Sequence, residues 1–481
     1  MSTGHVELPG YGLCAEPDLA FHPERIEDRD THPLRGLARF GPFSRSILGG
    51  VIDPIRIGVL APKNGVAAVR RLVEELKQRH RPRERKNYLP EFPGFSQLLG
   101  VGVALAPEEA LLELPDDFDA KLATSDAPRI LLADTLARSV SRLAGQRSAF
   151  DVLLILLPDD RWAAHFEGGP DDDFDLHDHI KTIAAGLGVP TQVLWKTSGL
   201  QYSCRCSVMW RLSVALYVKA GGIPWKLANR EEDTAFVGIS YAMRSRASVP
   251  RFVTCCSQVF DADGAGLQFI LYNVDPLHVE SERNPYLARG EMRRLMARSL
   301  SLYERRHAGR APRRVVVHKT TRFTREEIDG CFDAWRSAEG LDLIQVQQDT
   351  PWMGIKLDAP RRDGEKNAPS RYPIERGSFV PLDGRRVLLW TQGTATGGVS
   401  RRDYFQEGKG LPRPLLLHRW AGHGSWDHTC ASVLGLTKMD WNNDALYDRL
   451  PVTLRYSSVL AKCAKRITDF SARPYDLRYF M

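Results

Sequence analysis

Two lysines stand where the chain could hold an anion. Lys196 directly follows the apolar segment TQVLW, and Lys219 closes the helical segment SVMWRLSVALYVK just before Gly221 and Gly222. Where parallel strands alternate with helices, strand ends and the N-termini of the following helices converge on one crevice, whose backbone N–H groups and helix dipoles favour negative charge. Two ammonium groups at such a crevice make a phosphate pocket. Outside one, Lys219 only complements the C-terminal end of its own helix and Lys196 is solvated. The acidic run PDDDFDLHDHI (170–180) offers His177, His179 and carboxylates to a divalent cation, but Asp175 also fits as a helix N-cap, the reading we favour. Cys204 and Cys206 with Cys255 and Cys256 make a poor zinc set, because adjacent residues of a strand point to opposite faces. His423 and His428 lack a third spaced ligand and read as structural or as nucleic-acid contacts.

The elements that must position these residues follow from hydrophobic periodicity. IRIGVLAP, the helical GVAAVRRLVEELKQRH and ILLADTLARSVSRL, and then DVLLILLP alternate strand and helix. The clearest unit is the strand 151–158, a helix capped by Asp175 and ending at Gly186 and Gly188, and the strand PTQVLW (190–195), a βαβ crossover on a parallel sheet. After Trp225 the runs AFVGIS (235–240), FVTCCSQVF (252–260) and LQFILYNV (267–274) follow one another as an antiparallel meander. A helix over about 288–307, the strand RVVVH (314–318), a helix over 324–338 and the strand LIQVQQ (343–348) complete the order of a ribonuclease-H-like sheet. Residues 1–50, rich in Gly and Pro, read as an irregular arm, and 358–373 as an exposed loop.

With 481 residues, 43% of them hydrophobic and 26% charged, the composition excludes disorder and fibrous repeats and leaves room for two or three domains. Eight cysteines and an N-terminus without a basic then apolar run point to a reducing cytoplasm. VLLILLP is far shorter than the ~18–20 residues of a membrane helix, so a soluble protein without a membrane partner is expected. The net charge of +7 is unevenly spread: residues 101–180 hold 17 acids against 6 bases, and residues 281–330 hold 13 Lys/Arg against 6 Asp/Glu. The basic stretch implies a polyanion partner, unless it is only the solvated face of a helix.

Over roughly residues 15–481, four segments in order, EPDLAF with LARFGPF, KAGGIPW, VVVHKTT, and LTKMDWNN through LPVTL, resemble the MID and PIWI halves of prokaryotic Argonautes. The length makes the chain look like a short Argonaute. The resemblance implies an α/β fold, a Rossmann-like MID domain followed by a ribonuclease-H-like PIWI domain, with an N-terminal arm at 1–50, MID at 51–232 and PIWI at 233–481. It implies a guide strand whose 5′ phosphate is held by Gln192, Lys196, an amide or hydroxyl from Gln201 or Ser207, and Lys219. Gln192 departs from the Tyr or His of many relatives. It further implies that the terminal carboxylate of Met481 enters this pocket with a bridging Mg2+.

In active relatives three acidic or histidine ligands hold the metal ions of phosphodiester cleavage, and hydroxyls cannot replace that charge. The matching positions carry Ser240, Thr320 and Ser458, so the resemblance is to the catalytically silent branch. Asp427, His428 and Asp444 are a weak substitute metal set. Arg283, Arg293, Arg294, Lys319 and Arg322 are candidate contacts to the nucleic-acid backbone. The implied partners are a guide RNA, a single-stranded DNA target and an APAZ-containing effector protein with a sirtuin-like, TIR or nuclease domain, acting against plasmids or phages. The alternatives are a guided nuclease with a rearranged acid set and a small-anion-binding α/β protein.

Overall fold

The computed structural model describes residues 10–47, 51–169, 174–228, 233–243, 253–261, 263, 266–274, 278–281, 284–336, 338–358, 366–370, 372–399, 403–405, 410–442, 447–464 and 474–481. The chain forms two compact units, one from residues 1–18, 227–440 and 445–458, the other from 19–226, 441–444 and 459–481. The arm expected over 1–50 is therefore divided. The short strand Gly12–Leu13 joins the sheet of the first unit by pairing with Ser378–Pro381, and the segment after Leu19 belongs to the second. Residues 459–481 also join the second unit, where Phe480 and Met481 are buried. Among the described residues no helix is long and apolar enough to cross a membrane.

The unit holding residues 19–226 is built on the parallel strands β1 (Ile55–Ala61), β2 (Val103–Leu105), β3 (Val152–Leu157) and β4 (Thr191–Trp195), in the order β2-β1-β3-β4. Every residue of β3, VLLILL, is buried, as expected for a central parallel strand covered on both faces. Helices α1 (Pro128–Ala144) and α2 (Leu176–Gly186) pack onto it through Leu132, Leu136, Val140, Ile180 and Ala184. Asp175 caps α2 as expected, its carboxylate accepting from the Asp178 N–H. In α3 (Arg205–Lys219) every residue from Cys206 to Lys219 except Arg211 is buried. Such a helix is a core element, and it takes Lys219 inside with it.

The other unit carries the expected meander, β5 (Thr234–Met243), β6 (Val253–Asp261) and β7 (Gly266–Val274), paired antiparallel in sequence. Next to β5 on its other side lie β8 (Arg314–Lys319) and then β9 (Gly340–Gln347), both parallel, followed by antiparallel β10 (Leu415–Ala421). Helices α4 (Arg289–Arg306) and α5 (Arg325–Ala334) cover the face presented by Val237, Ile239, Val315 and Val317, packing through Met292, Leu295 and Cys331. On the opposite face α6 (Val452–Ala464) comes so close that a Cβ on Gly238 would lie 1.9 Å from the Thr453 carbonyl oxygen. Only glycine accommodates that approach.

Two segments distant in sequence are tied together by charge. Glu16 of EPDLAF meets Lys438 of LTKMDWNN at 2.5 Å and Arg376 at 3.1 Å, all three with almost no exposure. Burial pushes the Glu16 carboxyl up, but the two cations outweigh it and hold it below its ordinary range. Unpaired, any one of the three would be a costly buried charge.

Candidate functional site

Near the start of β4 and at the last turn of α3 the structure brings Gln192 and Lys219 together, the Lys219 ammonium donating to the Gln192 amide oxygen. A second lysine, not singled out from the sequence, stands with them. Lys181 of α2 donates to the backbone oxygens of Thr191, at 2.6 Å, and of Met481, at 2.5 Å. Both lysines are 1% exposed. Burial lowers the Lys181 pKa to about 8, while Lys219 is pushed well below its ordinary value by burial and then by the neighbouring charge of Lys181. Two desolvated ammonium groups facing an amide and backbone oxygens form a strongly anion-seeking site.

The remaining residues expected in this pocket are placed differently. Lys196, at the end of β4, is turned to the carboxylate of Asp160 in the segment after β3, and the neighbouring Thr197 N–H and hydroxyl donate to Asp159. Gln201 is exposed, and Ser207 is buried in the first turn of α3, its N–H bonded to the Cys204 carbonyl at 3.1 Å. A signal for Lys181 was present in the sequence: it lies three and four residues before Ala184 and Ala185, on the buried stripe of its helix. Met481 does reach this pocket, its backbone oxygen accepting from Lys181.

In the other unit the expected hydroxyl positions gather at the ends of β5 and β8. The register pairs Gly238 with His318 and Ile239 with Lys319, which sets Ser240 and Thr320 in step just beyond. The residue of α6 that reaches Ser240 is Ser457, not Ser458. Ser457 is buried with its hydroxyl 2.8 Å from that of Ser240, whereas Ser458 is exposed. Helical phase is the reason: Thr453 docks on His318, its hydroxyl 2.9 Å from Nδ1, and the residue one turn on along the same face is Ser457. Thr320 is exposed, and its carbonyl accepts from Gln345. Burial lowers the His318 pKa to about 4. The cluster is thus made of hydroxyls and a neutral imidazole, with no carboxylate from the matching positions.

Lys319 is a correction to the sequence reading. It is 0% exposed, pairs with Glu327 at 2.5 Å and sits among the rings of Tyr241, Tyr286 and Phe323, so it holds the fold and does not face a nucleic-acid backbone. Strand alternation puts it with Val315 and Val317 on the face covered by helices. Arg293 and Arg294 are exposed on α4, Arg294 beside Glu291, and Arg322 is exposed over the Tyr286 ring. Arg283 and Asp444 lie outside the described residues.

Other candidates take structural roles. His428 sits on Arg314, Nδ1 2.9 Å from the guanidinium, and His423 and Asp427 are exposed. Among the described residues Asp175, His177 and Asp178 could offer ligand atoms within 4.8 Å of one another, but the Asp175 carboxylate is engaged as the α2 cap. Cys204 and Cys206 are buried free thiols, and burial lifts the Cys206 pKa to about 12.

No family model and no curated protein matches the chain. Solved structures do. The chain is similar to a Clostridium butyricum Argonaute bound to a guide DNA with 5′ deoxycytidine and a 19-mer target DNA, with a TM-score of 0.65 at 16% identity over 98% of this chain and 55% of that one. It is also similar to the Aquifex aeolicus Argonaute, with a TM-score of 0.60 at 16% identity over 99% of this chain and 56% of that one. The chain therefore spans little more than half the length of these neighbours. The α/β units described above have the fold of the MID and PIWI parts of Argonaute structures.

Proposed function

We propose that this protein binds a short guide strand, probed most simply as 5′-phosphorylated RNA, and uses it to capture a complementary single-stranded DNA target without cleaving it. The observation that carries this reading is the pair of buried ammonium groups, Lys181 and Lys219, at the start of β4 in a MID-like sheet. A terminal phosphate carries the charge such a site lacks, and charge-assisted hydrogen bonds to it offset the cost of burying both lysines. Lys196, just beyond the other end of β4, is held by Asp160 and turns to the strand's backbone when that pair opens. Exposed arginines such as Arg293, Arg294 and Arg322 supply sequence-independent backbone contacts, while base pairing selects the target.

The absence of cleavage rests on Ser240, Thr320 and Ser457, whose hydroxyls cannot hold two cations about 4 Å apart. A guided protein that does not cut reports its target by acting on another, and an APAZ-containing effector in defence against plasmids or phages is the partner in this reading. The experiment is to purify the protein from its native cells, label the 5′ ends of extracted nucleic acid with and without phosphatase, and identify co-purifying proteins. Short 5′-phosphorylated strands with an APAZ-type partner are the expected result. A nucleic-acid-free protein across several growth conditions contradicts the proposal.

A further inference from the structure

Residues 77–86, KQRHRPRERK, hold six Lys/Arg against one acid. They follow the helix Gly65–Leu76 in the unit that holds residues 19–226, whose stretch 101–180 is by contrast strongly acidic. Positive charge is therefore gathered in this loop and is not a general property of the unit. The loop is also built. His80 and Phe92 exchange backbone N–H to carbonyl bonds of 2.9 Å, and Tyr88, Leu89 and Phe92 are buried. The Pro90 carbonyl accepts from the Trp210 indole at 3.0 Å, Glu75 accepts two bonds of 2.7 Å from Arg205, and Glu84 accepts from the Tyr202 hydroxyl at 2.6 Å. These contacts hold the loop against the first turns of α3 and leave Lys77, Arg79, Arg81, Arg83 and Lys86 exposed. Lys77 meets Glu74 at 2.6 Å and Arg81 meets Glu91 at 3.5 Å, exposed pairs that a phosphate displaces at little cost. A backbone already fixed lowers the ordering cost of holding a polyanion.

We propose that the loop 77–86 is a second nucleic-acid surface, which holds the target strand where it runs on past the 5′ end of the guide. Lys219 closes the helix whose first turns carry the loop, and the 15 residues of α3 span about 20 Å. A target pairs antiparallel to its guide. With the guide's 5′ phosphate at Lys219, the unpaired nucleotides on the 3′ side of the target therefore emerge over this unit. The distance from Lys219 to the loop corresponds to about six phosphates of a stacked strand at about 3.4 Å each. Between the two ends, from Cys206 to Lys219, the single position that α3 leaves exposed is Arg211. Tyr202, 37% exposed and bonded to Glu84 of the loop, adds an aromatic face among the cations. Cations along a backbone path with an aromatic for stacking are what a single strand needs when its sequence is not read. An acidic peptide would match the cations but not the aromatic face.

The inference rests on guide binding as proposed above, and its test separates the two. The full chain, loaded with a 5′-phosphorylated guide RNA, is titrated with complementary DNA that carries about ten extra nucleotides at its 3′ end, at its 5′ end or at neither. The 3′ flank is expected to tighten binding roughly tenfold at low salt and to steepen the salt dependence, and the 5′ flank to add little. In the triple variant Arg79→Glu, Arg81→Glu, Arg83→Glu the gain from the 3′ flank should vanish, while guide loading and affinity for the target without flanks are kept. The triple alanine variant, expected to lose most of the gain, serves if the charge-reversed chain does not fold. Equal gains from the two flanks in the wild-type chain overturn the inference and leave guide binding standing. So does a full gain in either folded variant, and one that has instead lost a co-purifying protein assigns the loop to that partner. Failure of the wild-type chain to load a guide overturns guide binding and the inference together.

Discussion

The hydroxyl of Ser240, on the first strand of the PIWI-like sheet, lies 2.8 Å from that of Ser457 on the closing helix α6. A metal-dependent nuclease would bring two carboxylates together here and separate their charges with cations. This chain brings two neutral hydroxyls into direct contact, and the contact is buried. Ser240→Ala and Ser457→Ala should each cost about 1 kcal/mol, and the double variant little more than either single one, since both remove the same hydrogen bond. Chemical denaturation of the four proteins measures the coupling, and guide affinity should be unchanged in all of them.

Gly238 fixes how close α6 lies to the sheet. With the Thr453 oxygen 1.9 Å from where a Cβ would stand, Gly238→Ala must push backbone against backbone. A loss of about 1–3 kcal/mol is expected, read as a lower urea midpoint. An unchanged midpoint would show that α6 is not seated as described.

Lys219 should trade stability for binding. Replacing a buried charge by an aliphatic side chain of similar size is often neutral or stabilising, so Lys219→Met should melt at the same or a higher temperature. Its affinity for a 5′-phosphorylated strand should fall by roughly tenfold or more. A variant that both melts lower and binds normally would make Lys219 an ordinary structural residue.

Asp160 is placed to compete with a nucleic-acid strand for Lys196, which it holds just beyond the C-terminal end of β4. Asp160→Asn should tighten binding of a phosphorylated strand several-fold, with a steeper salt dependence as Lys196 becomes available to the ligand. The pair is well exposed, so stability should hardly change. Weaker binding in Asp160→Asn would contradict this role.

His318 should make the fold sensitive to mild acid. Its pKa, lowered by burial from 6.5 to about 4, means that the unfolded chain takes up the proton first as pH falls. Stability is therefore lost between those two values, by about 3 kcal/mol in all, with no further loss from this group below them. His318→Asn, which can still bond Thr453, should show a smaller fall in urea midpoint between about pH 7 and about pH 5.

Much of this organisation was legible in the sequence, and the misses have definite causes. The βαβ crossover, the Asp175 cap and the meander of β5, β6 and β7 follow from periodicity and turn residues, which act locally. Lys219 stood out because a helix end declares itself through glycines and apolar spacing, and Gln192 through the family resemblance. Lys319 was misassigned because its charge was weighed before its parity: alternation along VVVHK puts it on the helix-covered face. The Ser457 position needed the phase of α6, set by its docking at Gly238, which no local pattern reveals. Lys181 and Asp160 were missed because their partners, Met481 and Lys196, lie far away in the chain.

The most direct test loads the protein with a 5′-phosphorylated guide RNA, adds end-labelled complementary or scrambled single-stranded DNA with Mg2+ or Mn2+, and resolves the products on native and denaturing gels. Retention of the complementary strand alone, at full length, is the expected result. Cleavage at one defined phosphate would contradict the silent PIWI-like site, and equal retention of the scrambled strand would contradict guided recognition altogether.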